Sequence, residues 1–245
     1  MSYGVVGSSV LRKEVVGKVT GQADYVDDLH VPDMWHGITV RSTIPRGRIL
    51  NIAFQDGLPW DEFTIVTAAD IPGKNIVSLI VEDQPYLSST HVNHLHEPVL
   101  LLAHPNKNLL EKARSLVKID YESSPAVFDI DSSLKADQII WGSDNVFKRY
   151  LMEKGDVDSA WSNAAHIIEG EYRTGAQEQL YIETNGMLAT VNPQDGVTVR
   201  GSMQCPYYVH KSLMALFDLI GHPSSCSWRL WLLSAGSQYP SGRLR

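Results

Sequence analysis

The sequence predicts an α+β fold in two successive regions, and three observations carry that reading. Short apolar or alternating runs bounded by turn residues recur through the first half, as strands do, with one amphipathic helix among them. A stretch from Ser123 to Asn145, with Pro125, Gly142 and several acids and serines, reads as a connection between packed regions. The second half then carries a hairpin pattern followed by a second amphipathic helix. The 245 residues are 43% hydrophobic and 20% charged, which is the balance of a folded globular chain with room for one large or two modest domains.

In the first region, residues 36–40 (His-Gly-Ile-Thr-Val) alternate as a half-buried strand does, and residues 63–68 and 76–81 are further strand candidates. Residues 98–103 are apolar almost throughout, as in a strand covered on both faces. Leu109, Leu110, Ala113, Leu116 and Val117 then recur at helical spacing. Asn106 is placed to cap that helix, and Lys112 and Arg114 lie towards its carboxyl end. Residues 117–121 alternate again. Strand, helix, strand predicts a βαβ unit with parallel strands and a right-handed crossover.

In the second region Asp156 is placed to cap a helix whose apolar face is Val157, Ala160, Trp161 and Ala164, and residues 167–173 read as a strand. Residues 186–191 and 197–202 form the expected hairpin, turned by Pro193-Gln194-Asp195-Gly196. The following helix carries Val209, Leu213, Leu216, Phe217 and Ile220, with Gly221 as its stop.

A net charge of −7 argues against a nucleic-acid or anionic-membrane surface, which needs concentrated Lys and Arg, so a small molecule or another protein is the expected partner. Residues 1–7 lack a basic segment followed by an apolar one, and no run reaches membrane-spanning length, which predicts cytoplasmic residence. Cys205 and Cys226 are too few for an iron–sulfur cluster and give no zinc spacing. His91, His94, His96 and Glu97 are a candidate metal group, because His94 and His96 on a strand would project from one face. Their alternative is a surface cluster with no ligand. Ser8-Ser9 and Ser88-Ser89 lack nucleophile-elbow glycines, and residues 4–7 lack the Gly-Lys-Ser/Thr ending of a phosphate loop.

Three separated stretches share an order: Gly17-Lys18-Val19-Thr20-Gly21-Gln22-Ala23-Asp24-Tyr25-Val26-Asp27-Asp28-Leu29, then Val40-Arg41-Ser42, then Thr67-Ala68-Ala69-Asp70-Ile71-Pro72. Further on come Gly155-Asp156-Val157, Gln177-Glu178-Gln179-Leu180-Tyr181-Ile182-Glu183 and Ser202-Met203-Gln204. Together these resemble the amino-terminal part of the molybdopterin-binding large subunit of the xanthine dehydrogenase and aldehyde oxidase family. The resemblance implies an α/β hammerhead domain followed by the incomplete start of a molybdenum-cofactor-binding α+β domain. It divides the chain into an arm at 1–16, the hammerhead domain at 17–127, a linker at 128–145, the start of the cofactor domain at 146–221 and a non-family tail at 222–245. Codons for the family's Gly-Gly-Phe-Gly, read one nucleotide out of register, permit Trp228-Arg229-Leu230-Trp231, so the tail is read as frameshifted and the chain as truncated.

By that resemblance Gln204 faces the metal's oxo ligand, where a neutral amide can donate a hydrogen bond without adding charge, and Gln177 and Glu178 are further cofactor-binding candidates. For these two and for Glu183, the alternative is that a buried polar group satisfies neighbouring backbone amides. The family's His at Gln179 and Thr at Met203 are replaced. The resemblance implies molybdenum–molybdopterin in the complete protein and hydroxylation of a heterocycle or aldehyde with water-derived oxygen. It also implies iron–sulfur and FAD partner subunits to take the electrons. The general base is expected beyond residue 245, so no catalytic residue and no protein metal ligand is assigned within the chain. The alternatives are a non-catalytic module that contacts partner subunits, and an unrelated metal site at the histidines.

Overall fold

A computed structural model describes residues 6–77, 81–178, 180, 184–192, 196–203, 205–218 and 230–234. The chain divides into two units, Met1–Ser124 with Glu183–Arg245, and Pro125–Ile182.

The first unit opens with helix α1 (Val15–Thr20) and then strands β1 (His36–Arg41), β2 (Gly47–Phe54), β3 (Thr64–Val66), β4 (His91–Val92) and β5 (Pro98–His104). Helix α2 (Lys107–Leu116) leads directly into β6 (Val117–Ser123). Two three-stranded sheets result, in the orders β1-β5-β3 and β4-β2-β6. β5 is the centre of the first, antiparallel to both neighbours, with Leu102 opposite Ile38 on one side and Ile65 on the other. That central place is why β5 is apolar along most of its length: Val99, Leu100 and Leu102 are buried. Val40, Phe63, Leu100, Leu102, Leu110, Ala113 and Val117 form one core cluster, and α2 packs its apolar stripe on β1 and β5.

The expected parallel βαβ unit is overturned. β5 and β6 flank α2 but belong to different sheets, because β6 pairs antiparallel along the length of β2. The sequence reading passed over β2, and the ladder shows the reason. Its register to β6 slips between Ile49 and Asn51, leaving Leu50 as an exposed extra residue that breaks the two-residue alternation. The candidate strand at 76–81 is also corrected in its described part: residues 76, 77 and 81 are irregular, and 78–80 lie outside the described residues.

The cap at Asn106 forms as expected. Its side chain accepts from the backbone N–H groups of Asn108 and Leu109, at 2.9 and 3.2 Å. Asn106→Ala should cost about 1 kcal/mol, the usual value of an N-cap, read as a lower urea midpoint with an unchanged slope.

Within Pro125–Ile182 lie helices α3 (Ile130–Lys135) and α4 (Val157–Asn163). The segment expected to be a bare connection therefore holds a short helix. It is braced by Asn145, whose Nδ2 donates to the carbonyls of Ser133 and Gln138 and whose Oδ1 accepts from Ile140 N–H. Asp156 caps α4 by accepting from Ser159 N–H at 3.0 Å. The apolar face expected on α4 is exposed, Val157 and Trp161 included. The strand expected at 167–173 is overturned: those residues are irregular and exposed, with no partner strand. No described residue of this unit is buried.

After it, β7 (Met187–Asn192) and β8 (Gly196–Gly201) form the expected antiparallel hairpin, its turn residues 193–195 outside the described residues. Helix α5 (Pro206–Leu216) follows, then β9 (Leu230–Ser234), which pairs parallel to β8. The parallel strand–helix–strand connection expected around α2 thus occurs around α5, closed by a strand from the expected non-family tail. The helix ends at Leu216, earlier than the stop assigned to Gly221, which lies outside the described residues.

Candidate functional site

The hairpin and α5 frame the place where the sequence puts its best candidate. β8 ends at Gly201, which is buried, and Ser202 N–H donates to Gly186 O at 3.2 Å, closing the open end of the hairpin. No side chain fits at Gly201, since a methyl there would collide with Met187 Sδ and lie 2.6 Å from Gly186 O. Ser202 and Met203 are half-buried. Cys205, exposed and free, is the N-cap position of α5, and Pro206 opens the helix where its missing N–H is harmless. Gln204 itself lies outside the described residues.

Gln177 and Glu178 stand exposed on an irregular stretch of Pro125–Ile182, so burial does not explain them as groups that satisfy backbone amides inside a core. Glu183 and Gln179 lie outside the described residues. No reaction step is assigned to the described residues.

The histidine group has a different basis from the one expected. His94 and His96 are in a turn, not on a strand, and among the described residues no three His, Cys, Asp or Glu side chains come together to hold a metal. His96 takes a left-handed conformation, φ 65°. The turn folds around the buried Glu97 carboxylate, which accepts from the N–H groups of Asn93 and His94. Ser42, also buried, completes the lock. Its hydroxyl donates to His94 O at 3.0 Å and accepts from Glu97 N–H at 2.9 Å, while its own N–H donates to Glu97 O at 2.8 Å. Arg41 Nη1 donates to His96 O at 3.0 Å. Arg41-Ser42 and Glu97 are thus one structural device. Sequence reasoning saw both ends and not the bond between them, because 55 residues separate them.

Residues 20–125 match the family described as aldehyde oxidase and xanthine dehydrogenase, a/b hammerhead domain, and residues 142–223 match the molybdopterin cofactor-binding domain. The chain belongs to the xanthine dehydrogenase and aldehyde oxidase family. It carries the α/β hammerhead domain followed by the start of the cofactor-binding α+β domain. Among its relatives, the nicotinate dehydrogenase large molybdopterin subunit of Eubacterium barkeri is 27% identical over 84% of this chain and 49% of its own length. Xanthine dehydrogenase 1 of Arabidopsis thaliana is 32% identical over 82% of this chain and 15% of its own. The chain thus spans half or less of the length of the curated relatives it matches. The fold is also that of the aldehyde oxidoreductase from Desulfovibrio desulfuricans ATCC 27774, with a TM-score of 0.79 at 22% identity over 94% of this chain and 27% of that one. Quinoline 2-oxidoreductase from Pseudomonas putida 86 superposes with a TM-score of 0.74 at 20% identity, over 95% of this chain and 31% of that one.

Proposed function

We propose that this chain supplies the hammerhead domain and the first part of the molybdopterin-binding domain of a molybdenum hydroxylase. With the rest of the cofactor domain present, the assembly hydroxylates a heterocycle or an aldehyde with water-derived oxygen. The observation that carries the reading is the succession of both matched domains in one chain, 20–125 and then 142–223. In it, molybdopterin binds the metal that does the redox chemistry, and the protein contributes orientation and electrostatics. Gln204, Gln177 and Glu178 are this chain's proposed contribution to the cofactor's surroundings. The proposed setting is cytoplasmic, with an iron–sulfur subunit and an FAD subunit as electron-carrying partners.

A test follows from the share of its relatives' length that this chain spans. The chain is expressed in a host that makes molybdopterin, alone and together with a separate polypeptide carrying the distal cofactor domain of a relative. The expected result is molybdenum and pterin near one per pair in the copurified complex, and little of either with the chain alone. Copurification without molybdenum would sink the reading. That outcome, with capture of iron–sulfur or FAD subunits, would support the second reading, a non-catalytic contact module. The second reading is favoured by the exposed apolar side chains of residues 125–182, Phe128, Phe147, Met152 and Ile168 among them.

A further inference from the structure

We infer that the turn Gly73-Lys74-Asn75 is a positioning clamp, which fixes the carboxyl end of α5, and with it the segment bearing Gln204, to the hammerhead core. The functional weight of Gln204 rests on the reading above; the clamp does not. The last carbonyls of any α-helix lack partners within the helix and are normally satisfied by water or by the residues that follow. In α5 two of them are met by a turn distant in sequence: Gly73 N–H donates to Leu216 O at 2.8 Å, and Lys74 N–H to Ala215 O at 3.0 Å, the second carbonyl also accepting from Asp218 N–H at 3.3 Å. The approach is too close for any side chain at 73. A methyl there would collide with Ala215 O and lie 2.7 Å from Leu216 O and 2.8 Å from Asp218 N. All three neighbours are backbone atoms, so relief requires moving the helix end rather than turning a side chain.

The same turn is fastened on its other side. Asn75 holds the backbone of buried Leu87 with both ends of its amide, Nδ2 donating to Leu87 O at 2.6 Å and Oδ1 accepting Leu87 N–H at 3.0 Å. The next residue, Ser88, donates its N–H to Pro98 O of β5 at 2.8 Å. An unbroken series of backbone and hydrogen-bond links therefore runs from the central strand of the core to the end of α5. At its other end α5 is joined to β8 through residues 202–205, and Ser202 is itself bonded to Gly186. Gln204 sits in sequence between that bond and a helix whose far end is clamped. The hammerhead domain thereby acts on a helix of the cofactor domain, the one that follows its hairpin, as well as filling space.

The test is hydrogen exchange on the full chain, with alkylation of Cys205 in a Cys226→Ser background as a probe at the opposite end of α5. Gly73→Ala should speed exchange across residues 206–216 by about tenfold, the scale on which two backbone hydrogen bonds count, and change the Cys205 alkylation rate. Residues 36–41 and 98–104 should exchange as before. Asn75→Ala loosens the clamp from the core side without a clash and should produce the same pattern. Asn75→Asp, which keeps an acceptor for Leu87 N–H, should restore part of the protection. Unchanged exchange in α5 for both variants overturns the clamp, and so does an equal loss across both segments and α5 in both. None of these readouts needs molybdenum, so a clamp that passes beside a metal-free assembly would sink the proposed function alone.

Discussion

Leu102→Ala should destabilise the first unit by about 3–5 kcal/mol, the range for truncating a fully buried leucine where the site cannot collapse. Leu102 is 0% exposed, on the central strand of its sheet, with Ile38 and Ile65 in register on either side and α2 packed on that sheet. Strands on both flanks hold the backbone, so the lining has little freedom to close the cavity. A loss of that size is a large part of the roughly 5–15 kcal/mol typical of a domain. The check is urea unfolding followed by circular dichroism, with the midpoint falling and the slope kept. A shift below about 1 kcal/mol would mean that Leu102 is not at the centre of a close-packed core. Leu101, 39% exposed on the same strand, serves as the control, since its truncation removes side chain that water already reaches.

The contrast between neighbouring leucines shows what the sequence could and could not reveal. Local signals were legible: the Asn106 and Asp156 caps, the stripe of α2, the apolar run of β5 and the 187–201 hairpin all depend on residues close in the chain. Pairing was not. Nothing local says that β6 leaves the sheet of β5 to lie along β2, and the bulge at Leu50 erased the alternation that would have revealed β2 at all. Residues 167–173 have a strand's composition without a strand's partner, and composition alone does not make a ladder. The site divides the same way. Gln204, Gln177 and Glu178 came from motif resemblance, and no periodicity pointed to them. Nothing local marks Gly73 either, because its partner, the end of α5, lies far along the chain.

The Ser42–Glu97 lock is where a sequence motif and a distant contact meet, and breaking it should have the second large effect. Glu97→Ala leaves the N–H groups of Asn93 and His94 without their acceptor beside a buried site, 3% exposed in the native chain. Each lost hydrogen bond to a carboxylate is worth about 1.5–3 kcal/mol, and both donors stand on exposed residues where water restores part of it, so a total on the order of 3 kcal/mol is expected. Glu97→Gln keeps one oxygen acceptor of the same shape and should lose less. Ser42→Ala removes the donor to His94 O and the acceptor of Glu97 N–H, and should fall between them. Because both residues tie down one turn, Ser42→Ala and Glu97→Ala combined should cost less than the sum of the two, a coupling that a double-mutant cycle in urea measures directly. Additive losses would mean that each side chain stabilises something else. The same cycle decides how the histidines are read. If the turn exists to wrap the Glu97 carboxylate, His94→Ala and His96→Ala leave the coupling intact and added zinc leaves the midpoint unmoved. A real metal site would raise the midpoint with zinc by mass action and lose that gain in either histidine variant.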